Sequence, residues 1–273
     1  MILYDDIPKQ NLKNNLNSKE LIYTTLLNIA VFQGIVLGLI ILKSAIFNSK
    51  SNKYLAFLLF TLSIILLNHV FEVEDAFTPY PFLRFIDHIE WVFLLPACMF
   101  MFIINRIDDT VKSRQKSYLC FIPFAYSASI HIAFDLDRVA GIYTIPESYS
   151  GLINILGLIH LILAVTFIPF LLCYSYFMIK HLKDPEEKKW IVTLLTIVTS
   201  SIFSFLIIAL AGLFLQYDTT FTMSTLALAA TFIIHWTSYI GIYKYKLAKN
   251  KEAVYNFLNN DLTISAANLQ IAE

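Results

Sequence analysis

Five histidines sit in or beside long apolar runs: His69, His88, His131, His160 and His235. An imidazole can ligate zinc or carry a proton, so these residues come first. Asp87 and Glu90 flank His88, and with His69 and His131 they form a polar cluster (His69, Asp87, His88, Glu90, His131) at the outer ends of their apolar runs. The spacing argues against a metal. No H-x-x-x-H or H-E-x-x-H pair places two ligands on one helix face. The depths differ as well: His160 lies about nine residues into its run, about 14 Å by helical rise, and His235 about 13 residues, about 20 Å. The expectation is no metal, no cofactor and no catalytic residue, with the buried histidines satisfied by helix contacts.

The remaining intramembrane polar residues read first as packing devices. Ala30, Gly34 and Gly38 recur every four residues in VFQGIVLGLIIL and its approach. Such a small-residue stripe lets another helix come close, within the bundle or in a homodimer. Gln33 lies beside the stripe and can hydrogen-bond across the helix contact. Thr193, Thr196, Ser200 and Ser204 form a hydroxyl stripe that either lines a polar crevice or bonds back to its own helix. Thr231, His235 and Ser238 share a face from which Trp236 points away. Gln33, His160 and His235 are the candidate ligand or signal residues. Other chemistry lacks its residues. The last apolar run, 222–243, has no lysine for a retinal Schiff base. There is no G-x-S-x-G elbow and no glycine-rich phosphate loop. No internal repeat suggests a transporter, although Pro96, Pro123 and Pro169 can break helices.

The elements that position these residues follow from composition. Of 273 residues 58% are hydrophobic and only 15% charged, against about a quarter in a soluble domain. Mean hydropathy is +0.65. Runs of about 20 apolar residues predict seven transmembrane helices at 21–42, 54–71, 85–104, 118–134, 151–179, 190–215 and 222–243. The fifth contains Pro169 and is expected to tilt or kink. Fifteen of the 20 Lys and Arg residues fall in the loops after the first, third, fifth and seventh spans. The positive-inside rule then puts the N-terminus outside and the C-terminus in the cytoplasm. Residues 1–20 are polar, without the apolar core of a cleavable signal peptide. Cys98, Cys120 and Cys173 all lie in apolar runs and suggest no disulfide framework.

The order of motifs resembles the multi-span N-terminal membrane region of bacterial AraC-type transcription regulators. The residues that carry the resemblance are VFQGIVLGLIIL followed by SNKYLAFLLFTLSIILL, then LLPACMFMFIINR around Pro96, LCFIPFAYS, EEKKWIVTLL and WTSYIGIYKYKL. Leu95 stands where that group usually has a glycine, and Met and Phe replace its Tyr-rich run. The resemblance covers residues 21 to about 258. It implies a membrane sensor or anchor joined to a cytoplasmic helix-turn-helix region. That region needs about 100 residues, the scale of a domain, and only 27 follow Lys246. DLTISAANLQIA resembles the opening of its first helix, so the sequence is either the front of a longer protein or a short relative.

The sequence reading is thus all-α: a polar outer segment (1–20), a seven-helix transmembrane domain (21–245) and a cytoplasmic helical tail or linker (246–273). It predicts a sensor or anchor in a bacterial inner membrane, with the lipid bilayer and a cytoplasmic output domain or partner protein as its partners and no direct nucleic-acid binding. The alternatives are an intramembrane metal-dependent enzyme, a small transporter, or a membrane subunit of a larger complex.

Overall fold

A computed structural model describes residues 6–43, 47, 49–107, 112–216, 219, 222–223, 225–241 and 243. The predicted tail 246–273, with its lysines, lies outside the described residues. Every regular element among those residues is helical. The helices are α1 (Asp6–Lys43), α2 (Lys50–Val73), α3 (Arg84–Asp87), α4 (Leu94–Ile104), α5 (Ile122–Arg138), α6 (Ser150–Ile179), α7 (Pro185–Leu215) and α8 (Thr225–Gly241).

Six segments are long and apolar enough to cross a membrane: Ile22–Lys43, Lys50–Val73, Pro81–Ile104, Ser117–Arg138, Ser150–Ile179 and Pro185–Gly212. The chain is a multi-pass membrane protein. The expected seventh span corresponds to α8, which has 17 residues, about 25 Å of helix against a hydrocarbon layer of about 30 Å. The N-terminal polar segment is not separate from the first span: α1 is one helix from Asp6 onward.

Local chemistry sets the helix boundaries. Ser49, in extended backbone, caps α2 by accepting from the Asn52 N–H at 3.1 Å. Asp184 caps α7 by accepting from the Glu186 and Glu187 N–H groups, and Pro185 takes the first helical position. Gln216, at φ 50°, ends α7 in left-handed backbone. α6 runs as one helix through Pro169.

The core forms around α4. Its sequence LLPACMFMFII has no polar face, and every residue from Leu95 to Ile104 is buried. A helix that is apolar all round belongs at the centre. α2 packs on it through Leu55, Leu58, Leu59 and Leu62, and α6 and α7 pack through Leu171, Leu172, Leu194 and Leu195. α1 lies on the far side of α2, seated by the small-residue stripe. Ala30, Gly34 and Gly38 are all buried. A β-carbon on Gly38 would come within 2.6 Å of the Phe60 ring, and one on Gly34 within 2.5 Å of the His235 ring. The stripe is therefore filled within the bundle by α2 and α8.

Candidate functional site at the acidic end of the bundle

The third apolar run is not one helix. Pro81–Leu83 forms a 3-10 turn, α3 follows, and the helix stops before Trp91–Phe93 opens a second 3-10 turn into α4. The break covers His88, Ile89 and Glu90. Glu90 has ψ 76°, outside helical backbone. Broken backbone at membrane depth must find other partners. Here the Trp91 indole N–H donates to the Ile86 carbonyl at 2.7 Å, and the Asn68 amide reaches the same oxygen at 3.5 Å. The break, with Asp87 at the end of α3, presents Asp87, His88 and Glu90 to the neighbouring helices and the space between them.

The first consequence is a polar cluster. His88 Nδ1 lies 2.6 Å from Oδ1 of Asp135 on α5, and Asp135 is 2% exposed. Among the described residues, its second oxygen, Oδ2, has no hydrogen-bond partner. Next to this pair, the ligating atoms of Glu90, His131 and His160 all lie within 4.8 Å of one another. The His131 and His160 rings meet edge to face at 5.6 Å, and Phe93 packs on His160 at 5.4 Å. The sequence put His160 at a different depth from His131, and that separation is wrong. Depth was measured from the ends of apolar runs of unequal length. α6 has 30 residues, about 45 Å against a hydrocarbon layer of about 30 Å, so its end is a poor marker of depth. His160 comes level with His131, two turns inside α5.

The second consequence is a cavity of about 350 Å³, within the range of small-molecule sites, about 300–1,000 Å³. Its floor and walls are mainly apolar, with Leu62, Ile65, Leu95, Ile202, Phe205, Ala227, Ala230 and Ile234 from α2, α4, α7 and α8 and the two hydroxyls of Ser201 and Thr231. Polar groups gather at one rim: Asn68, His69, Glu72, Asp87 and Glu90. His69 Nδ1 stands 3.7 Å from a Glu72 oxygen. Among the described residues, the buried Asn68 Oδ1 has no hydrogen-bond partner. An apolar body with a rim rich in acceptors suits a ligand with an apolar tail and a cationic, hydrogen-bond-donating head.

The candidate residues Gln33, His160 and His235 do not converge. Gln33 is exposed on the outer face of α1, because the buried positions 30, 34 and 38 turn it away from α2. His235 is fully buried against Gly34, and neither ring nitrogen has a hydrogen-bond partner among the described residues. The cavity is lined by its neighbours Thr231 and Ile234, not by His235. Thr231, His235 and Ser238 do share one buried face, and Trp236 is 56% exposed. Of the hydroxyl stripe of α7, Thr193 borders a small crevice beside Trp190 and Gly241. Thr193, Thr196 and Ser200 are exposed, and Thr193 and Ser200 bond back to the Lys189 and Ile197 carbonyls.

At the opposite, basic end the sequence missed a buried ion pair. Arg106 counts among the loop cations, yet its guanidinium is only 12% exposed and pairs with Glu187, in the first turn of α7. Arg106 also donates to Asn52 Oδ1 at 2.7 Å and Ser51 Oγ at 3.1 Å, and it lies over the Phe102 and Trp190 rings. Trp190 in turn donates its indole N–H to the Thr237 carbonyl at 2.8 Å and presses on Gly241. The pattern Asn-Arg…Pro-Glu-Glu-x-x-Trp, at the ends of two apolar runs, is the signal that could have marked it. No family model, curated protein or solved structure matches the chain.

Proposed function

We propose that the chain is a membrane-embedded receptor that takes a small amphiphile, an apolar tail with a protonated amine head, into the cavity at its acidic end. The observation that carries this reading is the pairing of an apolar cavity with a rim of Asn68, Glu72, Asp87 and Glu90. Three carboxylates and an unpartnered amide oxygen favour a cation that donates hydrogen bonds.

In this reading the bundle has seven spans, the acidic end faces outward, and residues beyond α8 lie in the cytoplasm. The excess of Lys and Arg at the opposite end supports that orientation. α8 is the element that couples the two ends. Ala227, Ala230, Thr231 and Ile234 line the cavity, while Thr237 and Gly241 rest on Trp190. A ligand that fits one position of α8 better than another shifts the population of that position. The output is a cytoplasmic domain or partner protein reached through residues 246–273. The resemblance to the membrane region of AraC-type regulators supports an output in transcription control.

The test is saturable binding of dodecylammonium to the purified chain in lipid nanodiscs. Ala230→Phe, which fills the cavity from α8, and the pair Glu72→Gln with Asp87→Asn each weaken binding by at least about tenfold, or 1.4 kcal/mol. Binding that neither change affects would exclude the cavity as the site.

A further inference from the structure

We infer that Glu90, His131 and His160 form a binding site for a divalent transition-metal ion of the zinc type. Two imidazoles and one carboxylate are the donor set of an open, four-coordinate zinc site, with three protein ligands and a fourth position for water. The three donors come from three separate elements: the 88–90 break, α5 and α6. Their ligating atoms lie within 4.8 Å of one another, and His160 Nε2 stands 3.9 Å from Glu90 Oε1. Donors at about 2.0–2.2 Å from a tetrahedral ion stand about 3.3–3.6 Å apart. Closing the set therefore needs about an ångström of side-chain movement, and the Glu90 side chain, 46% exposed, is free to make it.

The surroundings add to this geometry. Two histidine rings and a carboxylate gathered beside Phe93 in a membrane bundle need a compensating partner. Asp135 sits beside the cluster, buried, with one oxygen held by His88 and the other unpartnered among the described residues. Glu90, His160, His88 and Asp135 are all within electrostatic reach of His131. Asp135 is bonded to His88 and to neither ligand imidazole, so what it adds beside the donor set is negative charge. Together the cluster presents two carboxylates to a cation, and the ion ties the broken third span to α5 and α6.

Glu90 also belongs to the cavity rim, but His131 and His160 do not line the cavity. The two sites share Glu90, so His131 and His160 are the residues whose loss tells metal uptake apart from amphiphile binding. The experiment uses the full chain purified in detergent, stripped with chelator, and titrated with Zn²⁺ and with Co²⁺ as a spectroscopic probe. The expected result is one ion per chain, a Co²⁺ absorption typical of four-coordinate nitrogen and oxygen ligation, and a rise in unfolding temperature with Zn²⁺. His131→Ala, His160→Ala and the near-isosteric Glu90→Gln each lower affinity by more than the 10–100-fold typical of losing an outer partner. His69→Ala and the cavity-filling Ala230→Phe leave it unchanged. If the wild-type chain takes up no Zn²⁺ or Co²⁺, the site does not exist. If it does, and Glu90→Gln binds as tightly while keeping the wild-type elution profile, the ion lies elsewhere and the assignment is overturned.

Discussion

His235 lies against Gly34, so closely that a β-carbon at position 34 would stand 2.5 Å from the imidazole Cε1 and 2.7 Å from Nε2. The same β-carbon would overlap Ser63 Oγ on α2. Three helices thus meet at one residue that has no side chain. Gly34→Ala forces them apart, and the expected cost is about 1–3 kcal/mol, the usual penalty for overpacking a core. Gln33→Leu, one position away on the exposed face, changes stability by no more than about 0.5 kcal/mol. The double variant Gly34→Ala with His235→Ala loses less than the sum of its singles, because removing the ring gives room to the added methyl. Unfolding of the purified variants in mixed detergent checks all three.

The Arg106–Glu187 pair makes a sharper prediction. Both side chains are about nine-tenths buried, so removing one partner strands the other charge. Arg106→Ala and Glu187→Ala are each expected to destabilise by about 3–5 kcal/mol. The double replacement Arg106→Met with Glu187→Leu costs less than either single change. Arg106→Lys does not restore stability, because an ammonium cannot serve Glu187, Asn52 and Ser51 together or lie flat over Phe102 and Trp190. A double-mutant cycle on unfolding free energies measures the coupling, and additive losses would show that the pair contributes nothing as a pair.

Orientation is open to a direct experiment. With the acidic end outward, a reporter that works only outside the cytoplasm is active when placed near Ile142, in the exposed loop after α5. It is silent near Lys183, between α6 and α7. The reverse pattern would invert the assignment and turn the cavity toward the cytoplasm.

Much of this architecture is legible in the sequence. Of the seven apolar runs, six are helices long and apolar enough to span a membrane, and the four-residue spacing of Ala30, Gly34 and Gly38 marks a packing face that the fold fills. The shared face of Thr231, His235 and Ser238 also follows from helical period alone. The site is less legible, for two physical reasons. Depth counted from the end of an apolar run hides how far a long helix such as α6 extends beyond its neighbours, so the sequence alone does not bring His160 and His131 together. The break at His88–Glu90 has no glycine or proline within it. It is held by the local Trp91 bond to the Ile86 carbonyl and by Asn68 reaching in from α2, side-chain contacts that hydropathy does not reveal. Gln33 is exposed because it lies next to the packing stripe of α1 and not on it.

The most direct measurement on the cavity uses Trp91, which lines it, while Trp190 and Trp236 do not. Tryptophan fluorescence of the chain in nanodiscs is titrated with a bromine-tailed alkylammonium and, separately, with the matching alkyl sulfate. The account predicts saturable quenching by the ammonium, little by the sulfate, and loss of the saturable component in Trp91→Phe. Equal, unsaturable quenching by both amphiphiles, unchanged in Trp91→Phe, would mean that they only dissolve in the surrounding lipid and that the cavity is not a receptor site.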